Sequence, residues 1–289
     1  MKKLGLFLIF ILLFTTASYA RGPMEEEQTI LMFNQFPLNA PLPKHYRTTN
    51  NNITTPRVNL IGLKELNAIG SGQFTEDQLE KIKNQIHAPI TVVDLRQESH
   101  GFIDGFPISW RKGQYNWANQ GKDAYDIQRT ERRLIRQLKE LPQVCVYEKV
   151  DASNQMCLAP KDIESERQLT KALGCGYERF FIPDHGGPTQ LQARQFAHFV
   201  RSLPANTWLY FHCNAGGGRT TTYMVLYDIL RNGRHVTLRD ILRRQRLLGG
   251  SNLTDIPDPK DPLYMYRLQR MKLIQWFYRQ YRGAIPAKT

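Results

Sequence analysis

The sequence predicts an α/β protein with a mainly parallel sheet, and three observations support this fold class. Residues 90–96 (ITVVDLR) form a continuous apolar run rich in β-branched side chains, which is typical of a buried parallel strand. Residues 208–211 (WLYF) form a second such run, and apolar side chains recur with helical spacing after Arg219. A third strand at 177–182 (YERFFI) precedes another predicted helix, so strands and helices alternate as they do in α/β proteins.

The first 20 residues have the features of a secretory signal peptide rather than of the fold. Two lysines precede an apolar run at 4–14, and small residues lie near position 20. An uncleaved anchor is the alternative, but a run of this length is short for a bilayer, so no stable membrane insertion is expected. We expect cleavage near Ala20-Arg21 and a secreted or periplasmic protein. Residues 21–41 are polar and then proline-dotted, which predicts a loosely held N-terminal arm.

The chain is strongly basic, with a formal net charge of +13 that falls to +11 once the two lysines of the signal peptide are removed. Such a charge attracts nucleic acid, an anionic membrane surface or a heavily phosphorylated small molecule. The basic residues are spread along the chain and do not form a tail, which argues against a nucleic-acid-binding arm. No nucleic-acid partner is predicted.

Local signals predict the remaining elements. Thr75 and Gln78 fit a capping box, which indicates a helix over 76–86. The other expected elements are irregular structure or short strands over 97–120, a helix over 123–141, a short antiparallel pair at 144–150 and 157–160, and helices over 163–173 and 190–203.

Four cysteines follow the signal peptide, and an exported protein can form disulfides. Cys145 and Cys157 flank a polar segment, so a hairpin-like bridge between them is plausible. Cys175 would then be single, and Cys213 would stay reduced. The spacing of the cysteines and histidines does not match a zinc site, and no metal is predicted.

Residues 212–220 (HCNAGGGRT) join the 208–211 strand to the next helix and predict an anion-binding turn. Consecutive N–H groups in a glycine-rich turn before a helix form a concave anion site. Cys213 lies at the lip of this site, and helix N-termini and nearby cations favour the nucleophilic thiolate form of a cysteine. Arg219 can bind two phosphate oxygens, and Thr220 can donate its hydroxyl group to the sulfur. A merely structural cysteine would explain neither the glycines nor the arginine.

Chemistry on a phosphate in such a turn needs a general acid to protonate the leaving oxygen. Asp184 is the best candidate, because it lies on a loop at 183–189 (PDHGGPT) that follows the 177–182 strand. The carboxyl ends of parallel strands share one edge of a sheet, so this loop and Cys213 are expected to meet there. The alternative is an ordinary turn aspartate.

These residues carry a resemblance to a known family. His212-Cys213, followed after five residues by Arg219-Thr220, resembles the signature loop of the protein tyrosine phosphatase superfamily. IPDHGGPT at 182–189 resembles the acid loop of a narrower family, the protein-tyrosine-phosphatase-like phytases, also called cysteine phytases. Further similar stretches are VVDLRQESHG at 92–101, SW…NWANQGK at 109–122 and YRLQRMKLIQWFYRQY at 266–281, so the resemblance covers most of residues 42–282.

The resemblance implies a protein tyrosine phosphatase-like core with a smaller, partial β-barrel domain. The phosphatase domain would be residues 42–289, with the smaller part formed by about 42–60 and 98–165. The implied activity is that of a phosphoric monoester hydrolase that removes phosphates stepwise from myo-inositol hexakisphosphate and other inositol polyphosphates. No cofactor is implied, and the basic composition suits such a substrate.

The family pattern also implies the residues of the reaction. Cys213 would attack phosphorus and form a phosphocysteine. Arg219 and the backbone amides of the loop would hold the phosphate oxygens, and Asp184 would act first as acid and then as base. The loop residues concerned are Asn214, Ala215, Gly216, Gly217 and Gly218.

Supporting and substrate-binding roles follow from the same resemblance. His212 would support the loop through hydrogen bonds, and His185 would help to order the acid loop. The residues expected to bind further parts of the substrate are Arg47, Lys122, Lys149, His185, Arg267 and Arg270. Three positions depart from the family pattern: Asn116 where it can carry aspartate, Asn214 where glutamate is frequent, and Leu263 where a substrate lysine occurs.

Three alternatives stay open at the level of the sequence. A phosphatase acting on phosphotyrosine or phosphoinositide lipids would share the chemistry, and Tyr46 or Trp117 would then supply an aromatic wall. A sulfurtransferase also places a cysteine in an anion-binding loop, but it has no use for Asp184. A pseudophosphatase that only binds polyanions is disfavoured by the intact Cys213, Arg219 and Asp184. The order of phosphate removal and the oligomeric state are not predicted.

Overall fold

The computed structural model of the protein describes residues 29–282 apart from 36, 56, 114 and 149–153. The predicted signal peptide and Lys149 lie outside the described residues, and so do residues 21–28 and 36 of the predicted arm.

The described chain contains 11 strands and seven α-helices. The strands are β1 Ile30–Phe33, β2 Arg47–Thr48, β3 Ala68–Ser71, β4 Ile90–Asp94, β5 His100–Ile103, β6 Phe106–Arg111, β7 Val144–Tyr147, β8 Gln155–Leu158, β9 Ile163–Glu164, β10 Gly176–Arg179 and β11 Trp208–His212. The α-helices are α1 Glu76–Ile86, α2 Ala124–Lys139, α3 Glu166–Ala172, α4 Gln190–Ser202, α5 Gly218–Asn232, α6 Leu238–Leu247 and α7 Tyr264–Tyr281, and a short 3-10 helix spans Lys64–Leu66.

Five strands form the predicted mainly parallel sheet, in the order β10-β4-β11-β3-β2. β10, β4, β11 and β3 run parallel, and β2 pairs with β3 in the antiparallel sense. β4 therefore occupies an interior position, as its continuous apolar run predicts. His212 at the end of β11 lies opposite Asp94 on β4 and Ser71 on β3, so the chain leaves these strands at one edge.

The alternation of side chains along β11 fills both faces of this sheet. Leu209 and Phe211 pack into a cluster that includes residues of α4, α5 and α7. Tyr210 points to the other face, into a cluster with Phe74 and residues of α1 and α3. Since all five residues of β11 are buried, the strand carries Cys213 into the centre of the fold.

A second sheet of six strands has the order β8-β7-β1-β6-β5-β9 and is mostly antiparallel. Its hydrophobic cluster contains Ile135 and Leu138 of α2. Most of its strands come from residues 98–165, as the resemblance implies. The strand within residues 42–60, Arg47–Thr48, pairs instead with β3 in the first sheet. That this second sheet curves into a partial barrel remains a prediction.

The prediction of a loose arm over 21–41 is wrong for β1. Ile30–Phe33 lies between β6 and β7, with Ile30 opposite Arg111 and Phe33 opposite Ile108. Met32 and Phe33 are buried, so a run of only four apolar residues is enough to anchor the segment. The polar and proline-rich surroundings of this short run concealed it in the sequence.

Other local predictions are confirmed or shifted by a few residues. Thr75 and Gln78 form the predicted capping box of α1, and Cys145 and Cys157 form a disulfide between β7 and β8. Cys175 and Cys213 are free. The helix predicted over 163–173 starts later, because Ile163–Glu164 pairs with β5 and Ser165 caps α3. Within the described residues, no helix combines the length and apolarity that a membrane span requires.

Candidate active site

The turn between β11 and α5 presents its backbone amides to a cavity. Its successive carbonyl groups are bound from behind: that of Asn214 accepts from the Gln73 amide, that of Ala215 contacts the His45 ring, and that of Gly216 accepts from Arg47. The carbonyls of Gly217 and Gly218 accept from Thr221 and Thr222. Because the N–H and C=O of a trans peptide point in opposite directions, the following N–H groups are turned inward. The start of α5 adds its positive end to this concave site.

Gly216 is required by both conformation and space. Its φ of +76° lies in the left-handed region, where a side chain is strained. A Cβ atom built on Gly216 would lie 2.3 Å from the amide nitrogen of Gly72. The turn can therefore pack against the end of β3 only with glycine at this position.

Cys213 lies in the floor of this turn with 3% of its surface exposed. The hydroxyl group of Thr220 is 3.2 Å from the Cys213 sulfur, in position to donate a hydrogen bond as predicted. The same hydroxyl is 3.2 Å from the carbonyl of Ser71, so its single proton has two acceptors. A thiolate would be the stronger acceptor, because ionised acceptors form the stronger hydrogen bonds.

Arg219 joins the cysteine loop to the acid loop. Its two terminal nitrogens donate to the two carboxylate oxygens of Glu98 at 2.7 and 2.9 Å. Nη2 also donates to Oδ1 of Asp184 at 2.9 Å. The structure thus brings together the predicted nucleophile, arginine and acid, and it adds Glu98 as the residue that fixes the guanidinium.

The charges of Arg219 and Glu98 depend on each other. Burial opposes the charge of Arg219, but Glu98 and Asp184 outweigh it and raise the pKa of the guanidinium well above its ordinary value. Burial likewise opposes the charge of Glu98, but Arg219 and Arg96 hold the pKa of that carboxyl well below its usual range. Each partner therefore keeps the other ionised inside the protein.

Arg47 lies behind the cysteine loop and not in the cavity. Its Nη1 donates to the carbonyls of His45 and Gly216, both at 2.9 Å, and its Nη2 donates to the Thr221 hydroxyl at 3.1 Å. Only 1% of the residue is exposed. In this arrangement Arg47 supports the loop, and the predicted contact with substrate finds no support.

The acid loop places Asp184 at the entrance to the cavity. The Asp184 side chain is 22% exposed, and its Oδ1 accepts from the backbone N–H of His185 at 3.1 Å. His185 has a φ of 61°, and its Nε2 lies 3.7 Å from Oδ2 of Asp184. The predicted role of His185 in ordering this loop is consistent with these contacts.

A buried charge network lies beneath the cysteine loop. His212 Nε2 is 2.6 Å from Oε1 of Glu166, and its ring packs edge-on against Phe74. His100 Nε2 lies 3.2 Å from both Asp94 Oδ2 and Glu166 Oε2. Burial opposes the charge of Glu166, yet His212 and His100 help to lower its pKa to about 2. The sequence did not suggest this contact with Glu166, and the role of His212 in supporting the loop through hydrogen bonds stays a prediction.

Within the described chain, Asp94, His100 and Glu166 could also converge on a metal ion, since their ligand atoms lie within 4.8 Å of one another. Arg179 Nε is 3.0 Å from Asp94 Oδ2, so a guanidinium already occupies one of these oxygens. Burial and Arg96 oppose the charge of His100, but Asp94 helps to raise its pKa to about 9. We interpret the cluster as an ion-pair network, because His100 lies between two carboxylates and Arg179 already pairs with one of them.

The cavity above Cys213 has a volume of about 390 Å³. The predicted residues Arg267 and Arg270 line it, together with Ser251, Asn252 and Asp255. Arg267 Nη1 lies 3.6 Å from Oδ2 of Asp255 at the rim. Burial and the neighbouring Arg267 and Arg219 lower the pKa of Arg270 to about 10. Such crowding of cations is typical of a site built for an anion.

Lys122 is not brought to this cavity. Its Nζ donates to Oδ1 of Asn119 at 3.1 Å, and the residue lines a separate cavity of about 830 Å³ with Arg194 and His198. The predicted phosphate contact of Lys122 therefore finds no support here. Thus Arg267 and Arg270 are at the cavity and Lys122 and Arg47 are not.

Glu98 and Glu166 were missed as members of the site. Glu98 lies in the short segment between the end of β4 and β5, so the strand-end argument that selects Asp184 could have selected it as well. Glu166 begins α3, and its contact with His212 joins distant parts of the chain. The local sequence around Glu166 contains only the signal of a helix start.

The fold and this site define an α/β phosphatase-like protein with a cysteine in a phosphate-binding loop. Comparison with known proteins is more specific. Residues 93–231 match the family model of the PTP-like phytases, whose description names inositol hexakisphosphate. A PTP-like phytase from Bdellovibrio bacteriovorus is 31% identical, with a TM-score of 0.72, and the match covers 89% of this chain and 90% of that chain. The chain belongs to the PTP-like phytases, a family of phosphatases.

Two further relatives extend the comparison. The PTP-like myo-inositol phosphatase from Mitsuokella multacida, in complex with myo-inositol-(1,3,4,5)-tetrakisphosphate, is 29% identical with a TM-score of 0.81. That match covers 87% of this chain and 45% of the other. Effector protein hopD2 of Pseudomonas syringae pv. tomato is 31% identical over 277 residues, which are 90% of this chain and 58% of hopD2. The chain thus spans about half the length of these two relatives.

Proposed function

We propose that the protein removes phosphates stepwise from inositol polyphosphates through a phosphocysteine intermediate. The observation that carries this proposal is the lining of the cavity above Cys213. Beyond the loop and acid residues, its walls consist of Ser251, Asn252, Leu253, Asp255, Arg267 and Arg270. Two further cations next to one phosphate site suit a substrate that carries several phosphates.

In the first step of the proposed reaction, the Cys213 thiolate attacks phosphorus and forms the S–P bond while the P–O bond to the inositol carbon framework breaks. Asp184 gives its proton to the departing oxygen, which leaves as an alcohol. Arg219 and the inward-facing amides hold the three other phosphate oxygens. An incoming phosphate competes with Asp184 for Nη2 of Arg219, and this frees the carboxyl group to face the leaving oxygen.

In the second step, a water molecule attacks the phosphorus of phosphocysteine. Asp184, now a carboxylate, takes a proton from this water, the S–P bond breaks, and inorganic phosphate and the Cys213 thiolate are released. Thr220 stabilises the returning thiolate through the contact of 3.2 Å to the sulfur. All of these steps use side chains of this chain and water.

A second cavity gives an extended substrate further room. Asp184, His185 and Ala215 line it as well as the first cavity, and it has a volume of about 210 Å³. Arg111 of β6 adds a cation to its wall. An inositol ring with its reacting phosphate over Cys213 could therefore direct other phosphates toward either side of the acid loop.

The tyrosine phosphatase alternative requires an aromatic wall for the substrate ring. Among the described residues that line the cavity above Cys213, none is phenylalanine, tyrosine or tryptophan. Tyr46 packs against the cluster around Phe74, and the Trp117 ring stacks on Tyr115 and Tyr266. These positions favour the inositol substrate.

The test is phosphate release by residues 21–289 from myo-inositol hexakisphosphate, a phosphotyrosine peptide and a phosphoinositide, without added metal. Preference for the soluble inositol phosphate, abolished by Cys213→Ser, is the expected result. Preference for the peptide or the lipid would overturn the substrate assignment, and release by Cys213→Ser would overturn the covalent mechanism. No release from any of the three would favour a protein that only binds polyanions.

Asp184→Asn tests the acid. We expect a rate loss on inositol phosphates of about 100-fold or more, since general acids contribute 10²–10⁴-fold. An aryl phosphate with a good leaving group should lose much less. Equal losses on both substrates would remove Asp184 from this role.

We also propose that the protein is exported by its N-terminal signal peptide. The support is the sequence pattern of residues 1–20. N-terminal sequencing of the protein recovered outside the cytoplasm should start near Arg21, and an intact Met1 would refute cleavage.

A further inference from the structure

Two successive backbone carbonyl groups of the acid loop (residues 183–189), those of Asp184 and His185, accept hydrogen bonds from side chains outside the loop. Trp117 donates from Nε1 to the carbonyl oxygen of Asp184 at 3.0 Å. Arg270 of α7 donates to the carbonyl oxygen of His185. The backbone at Asp184 and at the next residue is therefore fixed by two different parts of the chain.

Three aromatic rings connect those two parts, and we name Tyr115, Trp117 and Tyr266 the aromatic clamp. Tyr115 stacks on Trp117 with ring centroids 4.7 Å apart, and Trp117 stacks on Tyr266 of α7 at 5.2 Å. Tyr115 also meets the His185 ring edge-on at 5.4 Å. Gln120 donates to the Tyr266 hydroxyl at 2.9 Å. The segment after β6, α7 and the acid loop thus form a closed set of contacts.

The acid loop needs such support because of its backbone. His185 adopts a φ of 61°, which a residue with a side chain reaches only at a cost in energy. Contacts from outside the loop must outweigh that cost for the loop to persist in one conformation. The clamp and Arg270 provide these contacts on the carbonyl side of the loop.

We propose that the aromatic clamp holds Asp184 at the cysteine loop before substrate arrives, which makes Trp117 and Tyr266 positioning residues of the acid step. This inference rests on the proposed phosphatase function, since it assigns how the acid of that reaction is kept in place. Neither side chain lines the cavity above Cys213, so both act through Asp184. Misplacement of a catalytic group by about 1 Å can cost on the order of 100-fold in rate.

The test compares p-nitrophenyl phosphate with phenyl phosphate. The two substrates share a ring, but phenolate is the more basic leaving group and depends more on the acid. Tyr266→Ala should lower kcat/KM for phenyl phosphate by about 10- to 100-fold, because a misplaced acid loses part of the roughly 10²–10⁴-fold that general acids contribute. For p-nitrophenyl phosphate the loss should be at most about 3-fold on the same reasoning.

Two further variants refine the comparison. Trp117→Phe keeps an aromatic ring but removes the donor to Asp184, so its loss on phenyl phosphate should be about 5-fold, the value of one ordinary hydrogen bond.

Tyr278→Ala is the matched control: Tyr278 is another partly buried tyrosine of α7, and its hydroxyl donates to Val236 instead of approaching the acid loop. Tyr278→Ala should leave the ratio of kcat/KM for phenyl phosphate to kcat/KM for p-nitrophenyl phosphate unchanged. Equal losses on both phosphates in Tyr266→Ala would indicate a merely structural role and overturn the proposal.

A double-mutant comparison tests the route through Asp184. If Tyr266 acts only by positioning the acid, Tyr266→Ala should add no further loss on phenyl phosphate in an Asp184→Asn background. Losses that multiply would show that Tyr266 acts elsewhere and would overturn the assignment.

Hydrogen exchange of the acid loop gives a readout that does not need turnover. The amides of His185 and Gly186 are hydrogen-bonded, to Asp184 Oδ1 at 3.1 Å and to the Pro183 carbonyl at 2.9 Å. In the ligand-free protein they should exchange slowly, and faster in Tyr266→Ala but not in Tyr278→Ala. Rapid exchange in the unmodified protein would overturn the clamp. A protein inactive on every ester, with slow exchange, would instead overturn the proposed function and leave the clamp as a loop support.

Discussion

Protonation of His100 should make the stability of the protein fall as pH rises from about 6.5 to about 9. Both ring nitrogens of this buried residue face acceptors: Nδ1 is 2.9 Å from the Glu98 carbonyl, and Nε2 is 3.2 Å from carboxylate oxygens of Asp94 and Glu166. Only the doubly protonated ring can donate in both directions. The other charged groups around it are Glu131 at 3.8 Å, Arg179 at 3.4 Å, and Arg96.

The size of this effect follows from the two pKa values of His100. Burial and Arg96 oppose the charge, but Asp94 helps to raise the pKa from 6.5 to about 9 in the folded protein. Each pH unit between the two values corresponds to about 1.4 kcal/mol, so the protonated ring stabilises the folded state by about 3 kcal/mol. Because the folded pKa is the higher one, this stabilisation is complete below pH 6.5 and is lost as pH rises through 9.

Urea unfolding at intervals between pH 6 and pH 9.5 measures this loss. His100→Gln is the control, since its neutral side chain cannot titrate: the variant should be less stable at pH 6 and show a nearly flat profile. A flat profile in the unmodified protein would refute the assignment of a buried imidazolium. A slope that His100→Gln retains in full would assign the titration to another group.

Two further substitutions test the cysteine loop and its support. Glu98→Gln keeps the shape of the side chain but leaves buried Arg219 short of a counter-charge; we expect a loss of about 3–5 kcal/mol in unfolding free energy and reduced turnover. Unchanged urea unfolding would contradict this expectation. Gly216→Ala should cost about 2–5 kcal/mol, because left-handed strain and overpacking add, and should weaken vanadate binding. Gly121→Ala is its matched control, since Gly121 has a φ of +81° but open space around it, and equal losses would show that the clash at Gly216 is unimportant.

The parts of the site that could be predicted are those encoded by a few adjacent residues. The turn from His212 to Thr220 contains its nucleophile, its glycines and its arginine within one stretch, and the structure places them around one cavity. The capping box at Thr75 and the bridge between Cys145 and Cys157 are similarly local. Asp184 needed one more step, the rule that parallel strands end at a common edge.

The parts that could not be predicted depend on which distant residues meet. The basic side chain of Arg47 could face either the substrate or the protein interior. Only its hydrogen bond to the Gly216 carbonyl in the folded protein shows that it faces inward. β1 can be recognised as a strand only from its pairing with β6 and β7 in the folded protein. Glu166 at the start of α3 contacts His212 at the end of β11, and no local sequence pattern links these two residues.

The buried charges explain why the cysteine loop depends on the second sheet. Glu98, which fixes Arg219, also accepts from Arg96 at 3.0 Å. Arg96 in turn donates to Asn34 after β1 at 2.9 Å and to Ser109 of β6 at 2.8 Å. A buried ion is tolerated only when all of its partners are in place. The second sheet therefore acts on the phosphate site through the guanidinium of Arg96.

Ion pairs also link α2 to the first sheet within this network. Its carboxylates are Asp94, Glu98, Glu131 and Glu166, and its cations are Arg96, Arg179, Arg219 and protonated His100. Glu131 of α2 pairs with Arg179 of β10 at 2.9 Å. Removing α2 would leave Arg179 of the first sheet without the carboxylate of Glu131. The electrostatic environment of the cysteine loop therefore depends on contacts from α2 and from both sheets.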